Sequence, residues 1–341
     1  MATNVSGREY KVVIARQDVS TLAIGGDGSI ADGDFVADSN LFMRLSTING
    51  INYDGAFQTA AITRSGRRAY EDGDFIRHYG SGTWTWDFDY LVENNLILET
   101  LVSLATGVAD TTGTITIDSS VHDAKEDLSH GGSAADNVGI IVFEAPTTAS
   151  GLSSDDQTMH SAVLQNLTLA MDMGTDAGRV HASGQFMTGY KPIISNSGVS
   201  GQTTASDHEK GLFDFTTLTV GGHAATVKSF SMTISNPATR VGWQGTSAEA
   251  DGYVRGGLFD ISGSITVKYN ADMADALGDW IGNTAYALAL NDGSNWDISI
   301  PSARMTGHNI DFAEDGMFVE IPWTATTGAA ASGNLAVLKL N

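Results

Sequence analysis

Cysteine is absent from all 341 residues. That excludes structural disulfides, thiolate zinc sites and cysteine nucleophiles. Proline is rare, at 5 residues against 39 glycines, while 42% of the chain is hydrophobic and only 17% charged. Such a composition reads as globular, β-rich and turn-rich, not disordered. Cations are scarce too: 18 Lys and Arg against 40 Asp and Glu leave a net charge of −22. A surface of that sign repels phosphates and excludes general nucleic-acid binding. Two readings of the acidity stay open: solubility, which charge alone favours, or the lining of a conduit along which nucleic acid slides without sticking. Long apolar runs are missing; the longest, 138–143, is short and broken by Gly139. Nothing in the sequence reads as a membrane-spanning helix. Residues 1–8 carry no apolar core, so no signal peptide is expected. The protein is expected to be made in the cytoplasm and to work wherever assembly takes it.

Catalytic signatures are missing as well. There is no Gly-x-x-x-x-Gly-Lys loop, no His-Glu-x-x-His and no Gly-x-Ser-x-Gly elbow, so no catalytic or cofactor site stands out. Among 40 acids no pair stands out for glycoside hydrolysis. His122, Glu126 and His130 would share a face if helical and could then hold a metal. They run into Gly131 and Gly132 and read as an exposed loop. The Asp- and Gly-rich loop 25–34 could offer oxygens to calcium, but its spacing fits neither an EF-hand nor a nonapeptide repeat. A solvated turn is the expected state.

What the chain does carry is a patterned stretch at 256–325. Ile265, Val267 and Tyr269 alternate with Ser264, Thr266, Lys268 and Asn270, the period of a half-buried strand over 259–270. Met273, Ala276, Leu277, Trp280 and Ile281 then fall on one face of a short helix. Strands over 285–290 and 296–300 and a hairpin, 305–309 with 318–323, complete a sheet with one helix across it.

An earlier part of the chain repeats this order. The strand 83–89 lies over 264–270 without a gap and in the same phase; 45–50 resembles 218–222, and 57–63 resembles 229–235. Both strands run directly into a helix, the first over 91–105, and a hairpin over 167–186 matches the closing one. Four elements in one order predict an internal duplication. The expected division is an N-terminal arm and strand over 1–40, a first module over 41–190 with an insertion at 107–156, a linker over 191–211, a second module over 212–327 and a C-terminal arm over 328–341. The last stretch, 335–340, alternates like a strand. It either pairs with a neighbour's sheet edge or folds back on its own.

The two long loops, 64–82 and 236–257, mix arginine and aromatics: Arg67, Arg68, Tyr70, Phe75 and Arg77 in the first, Arg240, Trp243, Tyr253 and Arg255 in the second. These are residue types that dominate interface energetics, and the loops are expected to touch another subunit.

The stretch Ser262-Gly263-Ser264 leading into a short helix, the strand Ile298-Ser299-Ile300-Pro301, and the Gly-turned hairpin with an aromatic-rich last strand resemble the major tail (tail tube) proteins of long-tailed bacteriophages. The likeness covers about two-thirds of the chain. It implies a mainly β fold: duplicated β-sandwich or half-barrel modules, each with one flanking helix, closing into a ring-shaped barrel on oligomerisation. It implies stacked rings around a lumen for DNA, no enzymatic activity, and partners that are other copies of the chain, a tape measure protein and terminator or tip proteins. Six modules per ring would make the ring a homotrimer. Asp87 and Asp89, on the polar side of their strand, are the candidates for the lumen. The competing reading is a secreted or surface β-sandwich adhesin with calcium in its Asp and Gly loops.

Overall fold

The computed structural model describes residues 10–26, 30–36, 41–43, 45, 47–54, 82–108, 113–118, 128–133, 138–146, 156–194, 210–244, 249–282, 284–293, 296–313, 316–328 and 333–340. Its first half holds β1 (Lys11–Arg16), β2 (Leu41–Met43), β3 (Asn52–Asp54), β4 (Thr83–Leu91), α1 (Asn95–Thr106), β5 (Thr114–Asp118), β6 (Val138–Glu144), β7 (Gln157–Asp172), β8 (His181–Thr188) and β9 (Ile193–Ile194). The second holds β10 (Thr217–Val220), β11 (His223–Ala224), β12 (Val227–Ser235), β13 (Thr239–Val241), β14 (Gly252–Val254), β15 (Asp260–Lys268), α2 (Ala271–Ile281), β16 (Tyr286–Asn291), β17 (Trp296–Met305), β18 (Asn309–Ala313), β19 (Gly316–Ala325) and β20 (Asn334–Leu340).

Alternation decides which way each long strand faces. In β4 Trp84, Trp86, Phe88 and Tyr90 are buried while Asp87 and Asp89 are exposed. Burying four aromatic rings on one face fixes the register, since a slip of one residue would turn all four outward. β15 repeats the pattern with Ile261, Ile265 and Val267 inward. Both strands give way to a helix through an asparagine cap. The Asn94 Oδ1 accepts the Leu96 N–H at 2.7 Å, and the Asn270 Oδ1 accepts the Met273 N–H at 3.0 Å. Each satisfies a donor that the first helical turn leaves over. α1 ends at Gly107, whose φ of 74° admits the left-handed turn and whose N–H bonds to the Ser103 carbonyl.

The strands form two layers. One is an antiparallel sheet of eight in the order β3–β4–β8–β7–β12–β15–β19–β18. The facing layer is made of β2–β1–β6, continued by the first half of β7, and of β11–β10–β16–β17–β20–β5. Between them lies a core in which Trp86 stacks on Phe186 at 6.0 Å and meets the edge of Phe143 at 5.3 Å. Phe230 stacks on Trp323 in the other half. From Ile97 to Thr106 every residue of α1 is buried. α2 buries only Met273, Ala276 and Leu277, and Ile281, expected on the same inner face, is 74% exposed at the helix end.

The pairings run in two like series. β2–β1–β6–β7–β8–β4–β3 in the first half is matched in the second by β11–β10–β16–β17, then β18–β19–β15–β12. Matched at their last residues, the strands also agree in register. Asp54 faces Thr83 as Ser235 faces Asp260; Thr85 faces Met187 as Ser262 faces Thr324; Thr168 faces Ser183 as Asn309 faces Glu320. This match sets 83–89 beside 260–266, four residues earlier than the sequence alignment, and sets 48–54, not 57–63, beside 229–235. An alternation of period two is unchanged by a shift of four, so the sequence pattern could not tell the two apart. Residues 57–63 lie outside the described ones.

The first and last described strands belong to the sheets. β1 sits between β2 and β6. β20 takes the folded-back alternative: it lies between β17 and β5 with Ala336, Leu338 and Leu340 fully buried. The strand over 296–300 continues through Pro301 to Met305, because a bulge opposite Ala287 accommodates the missing donor.

Candidate assembly surfaces and the polar sheet face

The outer face of the eight-stranded sheet is built from the residues that alternate with the core. Across its middle hydroxyls pair between strands: Thr168 with Thr233 at 2.9 Å and Ser231 with Ser264 at 3.1 Å. These short side chains leave the face smooth and polar. Carboxylates stand on both halves of this face: Asp87 and Asp89 in the first, Asp260, Asp311 and Glu320 in the second. Asp87 accepts from the Gln185 amide at 2.8 Å. His181 stands between Asp176 at 2.6 Å and Asp89 at 3.4 Å, and the Asp89 side chain is 72% exposed. At the positions matching Asp87 and Asp89 the second half carries Ser264 and Thr266.

The sheet has two edges. β3 pairs with β4, and β18 with β19; among the described residues no strand pairs with the other side of either. At the β18 edge Phe312 is 74% exposed. Unpaired strand edges template association with another chain.

The loop 236–257 is folded back on its own chain by residues expected to reach outward. Tyr253 is buried at 5% exposure. Its hydroxyl donates to the Ser161 carbonyl at 2.9 Å, accepts the Gly189 N–H at 2.9 Å and meets the Thr188 hydroxyl at 3.1 Å. Tyr190 packs against it edge-on at 5.8 Å, and burial raises the pKa of both phenols above their ordinary range. Below them Ser161 is held at a φ of 48°. Its N–H donates to the Gln17 Oε1 at 2.7 Å, and its hydroxyl accepts the Gly25 N–H at 2.9 Å. Arg240 donates to the Gly82 carbonyl at 2.5 Å, with its pKa lowered by burial, and Arg255 donates to the Asn236 carbonyl. A tyrosine or arginine beside a loop carbonyl satisfies it from within, and sequence cannot separate that use from an outward one. Of the four candidates in this loop, Trp243 faces outward, at 60% exposure; Val241, Val254 and Leu258 are exposed as well. Those three apolar residues and Phe312 carry no sequence signal, since an exposed hydrophobe looks like a core one. Arg67, Arg68, Tyr70, Phe75 and Arg77 lie outside the described residues, as do His122 and Glu126.

Asp34, in the loop considered for calcium, accepts the Ala31 N–H at 2.8 Å, the bond of an ordinary turn. Among the described residues no group of three or more metal-ligating side chains gathers, and no helix is long and apolar enough to cross a membrane.

A model of the phage tail tube protein family matches residues 56–325, which takes in both halves of the eight-stranded sheet from β4 to β19. No curated protein matches the chain. With a mainly β, two-layered fold, two helix-bearing strand series and a family match over most of its length, the chain belongs to the phage tail tube proteins.

Proposed function

We propose that three copies of this chain close into a ring, that rings stack into the tail tube of a long-tailed phage, and that the polar sheet face lines the lumen through which DNA passes into the host. Each copy brings two tube modules, the first over about 11–194 and the second over about 217–340. On this reading β1 and β20 are parts of modules and not arms. The observation that carries it is the eight-stranded sheet: two four-stranded halves of matching register, joined side by side, with no further strand paired at either end among the described residues. A sheet with open edges meets its pairing requirement by closing on copies of itself, and a heterologous contact that closes makes a ring. Three such sheets give a barrel of 24 strands, roughly 45–50 Å across between backbones at ordinary strand spacing and tilt.

Asp87 and Asp89 are placed by this reading in the lumen, among hydroxyls and in a chain of net charge −22. Such a lining attracts no phosphate and lets DNA move without trapping. A tape measure protein would occupy the same lumen before DNA does, with terminator and tip proteins at the tube ends. Subunits would be made in the host cytoplasm and work in the virion tail. The exposed group Val241, Trp243, Val254 and Leu258 suits a contact between rings or neighbours. The loop 64–82, with Arg67, Arg68, Tyr70, Phe75 and Arg77, is proposed to make across the ring seam the contact that 236–257 makes inside the chain. The reading needs no catalytic group.

Negative-stain images of concentrated purified protein test it. Tubes of stacked rings with threefold symmetry are expected. A protein that stays monomeric at every concentration, with no tube in any particle, would overturn it.

A further inference from the structure

We infer that the ring seam is an antiparallel ladder between β18 of one copy and residues 49–52 of the next, the stretch that leads into β3, in one definite register: Asn309 opposite Asn52, Ile310 opposite Ile51, Asp311 opposite Gly50 and Phe312 opposite Asn49. This rests on the ring reading above and adds to it which strands meet and how they are aligned.

The register follows from the seam already inside the chain. There β7 pairs with β12, with Thr168 opposite Thr233, Leu169 opposite Met232 and Met171 opposite Phe230. Thr168 faces Ser183 as Asn309 faces Glu320, so Asn309 holds in the second half the place of Thr168 in the first. On the other side Thr233 faces Ser262 as Asn52 faces Thr85, so Asn52 holds the place of Thr233. If the seam between copies repeats the seam within one, Asn309 meets Asn52 and the rest of the ladder is set.

Burial supplies a second, independent argument. Leu169 and Met171 are 0% and 1% exposed, in the main core with β12 beside them. Their counterparts Ile310 and Phe312 stand at an edge, and Phe312 is 74% exposed. Covering Phe312 removes an apolar ring from water, and the predicted ladder brings a strand to that side of it. Opposite, Ile51 already packs partly buried against the main core, as does Ile310, so joining the edges would make one core continuous across the seam. The remaining pairs, Asn309 with Asn52 and Asp311 with Gly50, fall on the polar face and bring no like charges together.

The absence of native cysteine makes disulfide trapping clean. Within one chain residues 52 and 309 sit on opposite edges of eight strands, seven spacings or roughly 30 Å apart. No intrachain disulfide can span that. Tubes of Asn52→Cys/Asn309→Cys, mildly oxidised and run on a non-reducing gel, are expected to lose the monomer band to covalent trimers. The control Ile48→Cys/Asn309→Cys, four residues or roughly 13 Å out of register, is expected to stay monomeric. Well-formed tubes that crosslink in the control pair only, or in neither, overturn the register while leaving the ring intact. Wild-type protein that makes no ring at all overturns the ring reading and this inference with it. As a check free of cysteine chemistry, Phe312→Asp is expected to give a subunit with unchanged circular dichroism and melting but at least a tenfold higher concentration for assembly; unchanged assembly would count against the seam.

Discussion

The hydroxyl of Tyr253 binds three groups at once and sits where the second half of the chain lies on the first. Replacing it with Phe leaves the Gly189 N–H and the Ser161 carbonyl without that partner inside the fold. The expected loss is about 1–3 kcal/mol of stability, measured by urea unfolding at neutral pH. Its ionisation adds a pH test. Tyr253 and Tyr190 have pKa values raised above the usual 10.0, chiefly by burial, which disfavours the phenolate. Unfolded phenols ionise near the usual value and folded ones do not. Their contribution is therefore whole below about pH 10 and is lost as pH rises beyond it. Urea midpoints should hold level up to that pH and then fall, and Tyr253→Phe should make the fall shallower. A fall that begins well below pH 9, or one identical in the variant, would show that these phenols do not carry it.

Among the elements, β20 makes the clearest claim. It fills the gap between β17 and β5, and its Leu338 and Leu340 are fully buried. Deleting residues 333–341 should cost the isolated subunit at least about 4 kcal/mol, the scale of two buried leucines lost to solvent. A free arm would leave subunit melting untouched and impair assembly alone, so thermal unfolding of the monomer decides between them. Local patterning was enough for most elements: 259–270 became Asp260–Lys268, 271–281 became α2 unchanged, and Trp84, Trp86, Phe88 and Tyr90 point inward as their alternation requires. What could not be read was which strand lies beside which. β7 meets β12 across more than fifty residues of chain, and no local signal specifies a partner that far away. The same holds for the site. Asp87 and Asp89 were legible because strand period fixes their face, whereas Tyr253 turned inward because the residues that receive it, Ser161 and Gly189, belong to another part of the sequence.

For the whole molecule, the two halves place their acids differently on the polar face. The polar face carries Asp87 and Asp89 in one half and Ser264 and Thr266 at the matching places in the other. The second half has its own acids elsewhere on that face, Asp260, Asp311 and Glu320, so a ring of three copies would carry acids from both halves around its lumen. Asp87→Lys/Asp89→Lys should leave tube formation unchanged, since neither residue lies at a sheet edge. It should make isolated tubes retain DNA at low salt and release it as salt rises, and should slow DNA release from triggered particles. Retention no different from wild type would place these acids outside the DNA path. The β7–β12 seam has a consequence for how a tube begins. Because both strands belong to one chain, half of the seams in the proposed three-copy ring would exist before any two molecules meet. On the two-module reading, the modules would meet at an effective concentration fixed by the chain that joins them and not by the cell. Ring nucleation should then climb with about the third power of subunit concentration, where six separate modules would need the sixth. On the proposed three-copy ring, a phage with this chain would hold its subunits dilute and still start tubes promptly once an initiating surface appears.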